Sequence, residues 1–161
     1  MANDNAIEKV QVVIMAKQNR LVPRSQVAAL PVRQGADGRW KVLLVTSRET
    51  QRWIVPKGWP IKGVPDYIAA AQEAREEAGL FGYVQKKPLG CYEAWKRLDS
   101  GFELVNVRVF RFDVEDQFDT WLEKGQRQLR WVDLDAAADL IEEPGLSALL
   151  RQIKPNWEDA A

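Results

Sequence analysis

Pro56-Lys57-Gly58-Trp59 and, further along, Gln72-Glu73-Ala74-Arg75-Glu76-Glu77-Ala78-Gly79-Leu80 decide how this chain is read. From Tyr67 to Ala78 the sequence is rich in Ala, Glu, Gln and Arg, all compatible with a helix. Asp66, just after Pro65, stands as the N-cap candidate. Gly79 suits the residue beyond the last turn, where a left-handed backbone stops a helix. On a helical wheel Tyr67, Ala71, Ala74 and Ala78 share one face, small enough to lie close to a sheet. Glu73, Glu76 and Glu77 cover an arc of about 100° on the other side. Like charges so spaced repel by about 0.2–0.5 kcal/mol per pair. A helix that carries this repulsion on one short patch has use for cations there. Carboxylates, water and phosphate oxygens are the ligands that suit Mg²⁺ or Mn²⁺. The bland alternative is a solvated acidic face, with Gln72 and Arg75 as incidental neighbours. The glycine-containing loop ahead of the helix tips the reading toward a cation site.

Around that helix the chain reads as strands. Gln26–Val32 is apolar enough for a buried strand, and Gly35-Ala36-Asp37-Gly38 is a turn signal. Trp40–Thr46 is the return strand, and Trp53–Val55 is a short strand ending at Pro56-Lys57-Gly58. Gly82–Gln85, Leu89–Trp95, Leu104–Val114 and Arg130–Val132 follow as strands, with a turn at Asp99-Ser100-Gly101 and an acidic connection over Glu115–Lys124. Asp133 or Asp135 is placed to cap a helix over Ala136–Ile141. Pro144-Gly145 breaks it, and Leu146–Ile153 is a final amphipathic helix. Strands mixed with two or three helices imply an α/β fold, with helices on both faces of a mixed sheet.

The 161 residues suit one domain, placed over 21–155, with an N-terminal arm over 1–20 and a tail over 156–161. Lys plus Arg and Asp plus Glu are balanced at 23 each, which disfavours bulk binding to nucleic acid or a membrane. The Val10–Met15 run is too short to span a membrane, and the N-terminus lacks the layout of a secretory signal. A cytoplasmic location is expected, as a monomer or homodimer. One cysteine, Cys91, rules out an intramolecular disulfide framework, and its apolar surroundings place it in the core. The chain contains no histidine, so imidazole acid–base chemistry and imidazole metal ligation are excluded. Catalysis has to run on carboxylates, Lys, Arg or a bound metal.

The Gly58 loop and the helix after it resemble the Nudix box, a pattern of glycine, Glu, Arg-Glu, an aliphatic residue, Glu-Glu, glycine and an aliphatic residue. Anchored on Gly79, Gly58 is its first glycine, Glu73 the Glu of Arg-Glu, and Glu76-Glu77 the pair. Ala74 and Leu80 take the apolar positions. Val64 stands where the early Glu is expected, and Gln72 where the Arg is expected. In the family these two support the loop by pairing, so losing both together strands no charge. Val42–Arg48, Arg52–Pro56, Trp121-Leu122-Glu123 and Arg127–Trp131 are similar to the diphosphoinositol-polyphosphate and diadenosine-polyphosphate branch of the family. The resemblance runs over roughly residues 24–150. It implies the Nudix fold, an α/β/α sandwich around a mixed β-sheet. It also implies metal-dependent hydrolysis of a P–O–P bond in a phosphorylated small molecule.

Glu73 and Glu77, spaced i and i+4, are then the metal ligands, for Mg²⁺ or Mn²⁺. The backbone carbonyl of Gly58 is a third, since glycine lets the backbone approach closely. Glu76 is the catalytic base or a further ligand. Glu93, Glu103, Glu115 and Glu123 are base candidates outside the box, and nothing in the sequence chooses among them. Resemblance to the polyphosphate branch points to Arg24, Ser47, Arg48, Lys96, Arg97 and Arg127 as phosphate contacts. Lys57, beside the metal loop, is a separate candidate. The competing reading of each cation is an ordinary surface charge. Of the seven tryptophans, Trp53 and Trp131 are placed in or near the core. Trp59 and Trp95 flank the site, for packing or for stacking on a base. The rival functions are another Nudix specificity (a nucleoside triphosphate, an ADP-sugar or an RNA 5′ end) and an inactive nucleotide-sensing Nudix module.

Overall fold

Alternation along two strands builds two cores from one sheet. In β1 (Arg24–Gln34), Ala28, Leu30 and Val32 enter one apolar cluster while Val27 and Ala29 enter another. In β2 (Trp40–Thr46), Val42 and Leu44 divide from Leu43 and Val45 in the same way. This is the period of two that sends successive side chains to opposite faces of a sheet. The computed structural model describes residues 23–158, with side chains over 23–153. The expected arm over 1–20 lies outside the described residues. So does the expected tail over 156–161, apart from the helical backbone that runs on to Glu158.

The remaining strands are β3 (Trp53–Ile54), β4 (Lys57–Gly58), β5 (Leu80–Val84), β6 (Gly90–Leu98), β7 (Gly101–Gln117) and β8 (Leu129–Asp133). They form one mixed sheet whose main path is β3-β2-β1-β7-β5, with β4 on β1, β6 on β7 and β8 on β2. β1 and β7 run parallel, from Arg24 opposite Val105 to Val32 opposite Asp113, and the other pairs are antiparallel. Helix α1 (Asp66–Ala78) packs on the Val27 side. Helices α2 (Leu134–Leu140) and α3 (Pro144–Glu158) pack on the Leu30 side. This is the expected α/β/α sandwich. Each fully buried Val or Leu side chain in these layers contributes about 1.5–3 kcal/mol. Apolar burial on that scale lets the fold carry a buried carboxylate on α1.

Several local expectations change. Pro65, with φ −57° and ψ 143°, is the N-cap of α1, without a side-chain cap hydrogen bond. Asp66 is already helical. Its carboxylate accepts a hydrogen bond from Arg108 of β7 at 2.6 Å, a charge-assisted bond that outcompetes a cap to its own backbone. The buried face of α1 is Ala69, Ala70, Ala74, Glu77 and Ala78, while Tyr67 and Ala71 are half-buried. Gly79 stops the helix as expected, with φ +67° and its N–H donating to Arg75 O at 2.9 Å. A Cβ at 79 would fall within 3.0 Å of three ring atoms of Trp121, so space as well as conformation requires glycine. Asp133 precedes α2 without capping it, because its carboxylate serves Lys41 and Arg39. Cys91 is exposed, not in the core. The pleat of β6 buries Tyr92 and Ala94 and turns Cys91, Glu93, Trp95 and Arg97 outward.

Candidate active site

β4 carries the glycine of the loop. Its two residues pair with β1, Gly58 opposite Val27 and Lys57 opposite Ala28. Ala29 N–H donates to Pro56 O at 3.0 Å, which extends this hold. A Cβ at 58 would lie within 2.9 Å of all three atoms of the Glu73 carboxylate group. The positive-φ glycines do not include Gly58, so glycine stands there to leave room for a carboxylate against the backbone.

Glu73 is half-buried, and its carboxyl is pushed up to about 7, first by burial and then by the charges of Glu76 and Glu123. Glu77 is only 4% exposed. Burial pushes its carboxyl up to about 8, against the opposing charge of Arg127 and a backbone N–H bond from Lys57. Its Oε1 accepts from Arg127 Nη2 at 3.2 Å, while Oε2 is buried without a hydrogen-bond partner. Desolvation therefore outweighs the one salt bridge, and the pair of carboxylates is short of positive charge. Glu76, one helical step away, accepts from Gln72 Nε2 at 2.8 Å.

Arg127 sits among these acids, its side chain 7% exposed. It donates to Thr46 O at 3.0 Å, to Glu77 at 3.2 Å and to Glu123 at 3.4 Å. Its Nε is buried without a partner. Glu123 also pairs with Arg48 at 3.2 Å, and its N–H donates to Glu76 O at 3.0 Å. Of the four acidic candidates outside the box, Glu123 is the one gathered to it. Glu93 and Glu115 are exposed, and Glu103 pairs with Arg24 at 3.3 Å. Sequence alone did not single out Glu123; its nearness to Arg127, four residues on, was the available signal.

The other cations divide. The guanidinium of Arg24 lies 3.9 Å over the ring of Trp59, and Lys96 Nζ lies 5.5 Å from the same ring. Burial, followed by the charge of Lys57, lowers the pKa of Lys96, so it is a sheltered ammonium beside other cations. Arg97 does not join it, because the pleat of β6 turns Arg97 outward with Trp95, which is 69% exposed. Trp59, not Trp95, therefore flanks the site. Lys57 Nζ is paired with Glu143 at 3.1 Å. Ser47 uses its hydroxyl within its own turn, with Thr50 Oγ1 and the N–H of Arg52. Arg48, 60% exposed, is held by Glu123.

Among the described residues, no three Asp, Glu or Cys side chains are gathered closely enough to make a ready metal cage. The donors nonetheless suit a hard divalent cation. They are anionic oxygens, sheltered, short of positive charge, with an unpartnered Glu77 Oε2 and a backbone that Gly58 keeps open. Glu73, Glu77 and the Gly58 carbonyl would hold it. Among the described residues, no helix is long and apolar enough to cross a membrane.

Residues 22–153 match the model of the NUDIX domain. Curated relatives include Nudix hydrolase 13, mitochondrial, of Arabidopsis thaliana, 25% identical over 123 residues, covering 72% of this chain and 60% of the relative. Nudix hydrolase 4 of the same plant is 32% identical over 103 residues, covering 63% and 48%. The chain thus spans at most about three fifths of the length of these two relatives. Among solved structures, Ap4A hydrolase of C. elegans superposes with a TM-score of 0.62 at 17% identity, covering 84% of this chain and 99% of that one. The NUDIX domain of Shewanella oneidensis NrtR, complexed with ADP ribose, gives 0.61 at 15% identity, covering 87% and 92%. These likenesses show the fold. With nearly all of the described sandwich matched, and Glu73 and Glu77 set on one helix against Gly58, the chain belongs to the NUDIX domain family.

Proposed function

We propose that this chain hydrolyses a P–O–P bond in a phosphorylated small molecule, with a divalent cation, Mg²⁺ or Mn²⁺, as cofactor. The observation that carries the reading is the Glu73–Glu77 pair on α1, short of positive charge, with Glu73 packed against Gly58. A cation held there supplies charge to the phosphoryl oxygens as the transition state forms. Water adds to one phosphorus, the bridging oxygen leaves with the other phosphate, and a carboxylate takes the proton from the water. Glu76 is the base candidate within the box, and Glu123, braced by Arg48 and Arg127, is the one outside it.

The substrate class follows from the cations. Arg24 and Lys96 meet at the Trp59 ring. Two cations beside one indole suit a polyphosphate chain, and the indole itself suits a base. We assign a dinucleoside polyphosphate or an inositol pyrophosphate as substrate, and Trp59 favours the former. A second reading, an inactive nucleotide-binding module, is supported by Arg127 occupying one oxygen of Glu77 and by Val64 and Gln72 in place of the family's Glu and Arg. The cytoplasmic setting is a proposal too, since the curated relatives include proteins named mitochondrial and chloroplastic.

Chromatography of the products formed with Mg²⁺ or Mn²⁺ from diadenosine polyphosphates, an inositol pyrophosphate, ADP-ribose and nucleoside triphosphates tests these readings. Turnover of one class, abolished in Glu77→Gln, is the expected result. Binding without turnover favours the module instead.

A further inference from the structure

Lys57 and Gly58 are consecutive in β4, and the pleat sends them to opposite faces of the sheet. Gly58 meets Glu73 on the α1 side. Lys57 reaches the other layer, where Nζ lies 3.1 Å from Glu143 Oε2. The second oxygen of Glu143 accepts from Tyr92 OH at 3.4 Å. The three are sheltered: the side chains of Lys57 and Glu143 are 17% and 18% exposed, and Tyr92 is 4% exposed.

Glu143 is itself well placed. Its carbonyl accepts from Ser147 N–H at 3.0 Å at the start of α3. Gly145 lets that end of the helix lie against β6, since a Cβ there would sit 2.9 Å from Tyr92 Cβ. Meanwhile the main chain of Lys57 is placed to favour the charged form of Glu77. One residue thus faces Glu77 with its main chain and holds Glu143 with its side chain. On the α1 side the loop is braced differently. Val64 packs with Ile61 and Tyr67 on the apolar cluster, and Gln72 bonds Glu76. Among the described residues, Lys57–Glu143 is the ion pair made by the loop from Pro56 to Pro65.

We propose that Glu143, steadied by Tyr92, is a positioning residue for the metal loop. By holding Lys57 from the far side of the sheet, it fixes the peptide that sets Gly58 against Glu73. The proposal rests on the reading that Gly58, Glu73 and Glu77 hold the cation. Truncating one member of a sheltered ion pair leaves the other uncompensated, so the loop relaxes and its ligands lose register.

The test is Mn²⁺ binding followed by electron paramagnetic resonance, on the full chain and without substrate, beside thermal melting. Native protein binds Mn²⁺ and Glu77→Gln does not. Glu143→Gln and Lys57→Met each weaken binding by about tenfold, the scale of an outer residue that orients metal ligands. Lys57→Arg, which keeps charge and reach, restores binding to within about twofold of native. The double variant K57M/E143Q binds no worse than the weaker single variant, because both act through one contact. Should Glu143→Gln melt without cooperativity, Lys57→Met and Tyr92→Phe carry the comparison. Native-like Mn²⁺ affinity in folded Glu143→Gln and Lys57→Met overturns the proposal, as do additive losses in the double variant. If Lys57→Met then raises only the KM for substrate, Lys57 is a phosphate contact. If Glu77→Gln binds Mn²⁺ like native protein, the ligand assignment itself fails, and this proposal with it.

Discussion

Gly58→Ala separates the site from the fold. The backbone at 58 lies outside the left-handed region, so alanine fits its conformation. Replacing glycine at such a position favours folding by about 0.4–1 kcal/mol through the unfolded chain. Against this, the new Cβ would lie within 2.9 Å of the whole Glu73 carboxylate group. Ordinary contact between carbon and its neighbours needs about 3.5 Å. The nearest Glu73 oxygen would lie 2.1 Å away, so the carboxylate must retreat by roughly 1.4 Å, which its flexible side chain covers for about 0.5–1.5 kcal/mol of rotamer strain. The two contributions nearly cancel, and the melting temperature should move by no more than about 4 °C. Function should suffer far more. A misplacement of roughly 1 Å costs on the order of 10²-fold in rate, or about 2.7 kcal/mol. The assay pairs Mn²⁺ affinity with kcat/KM on the substrate that the panel identifies. Native Mn²⁺ affinity and turnover in a folded Gly58→Ala protein would refute the placement of Glu73 as a ligand.

Stability without metal should depend on pH in a definite direction. Glu73 and Glu77 are raised from 4.5 to about 7 and about 8, so the folded chain keeps protons that the unfolded chain has released. Their contribution is intact below about pH 4.5 and is lost as pH rises through about 7 to 8. Melting scans in EDTA should show this decline, and Mn²⁺ should raise the melting temperature more at pH 8 than at pH 6; a flat profile contradicts it. Arg127→Met removes the cation shared by Glu77 and Glu123, and breaking such a buried network costs about 3 kcal/mol or more in the metal-free protein. Calorimetry should show that loss, while Mn²⁺ titration shows tighter binding because no guanidinium competes; weaker binding would count against competition.

The acidic helix was legible because its signals are local. Gly79, Ala74, Ala78 and the three glutamates lie within two turns, and the apolar run of β2 after the Gly35–Gly38 turn gives its bounds directly. The positions whose contacts the sequence hides share a different cause. Asp66 fits an N-cap until Arg108 of β7 reaches its carboxylate, 42 residues away. Arg127 is expected at a phosphate, and its pairing with Glu77 and Glu123, which holds it inside, has no local signature. Lys57 and Glu143 are 86 residues apart, and no periodicity announces their meeting. Cys91, Trp95 and Arg97 depend on the register of β6, in which a shift of one residue exchanges the two faces. The pairing order of the sheet, with β1 parallel to β7, is likewise absent from any local pattern.

That parallel pair bears on when the site forms. Val27 and Ala28 hold Gly58 and Lys57 in place through β1, and β1 is itself held by Val105–Asp113 of β7. Parallel pairing between such distant segments is slow, since a long loop must close before any contact rewards it. During synthesis the chain must therefore extend beyond Asp113 before the strand beneath Gly58 gains β7 as its second neighbour. Glu73 and Glu77 thus acquire their platform late, and a ribosome-bound chain ending before β7 lacks the site.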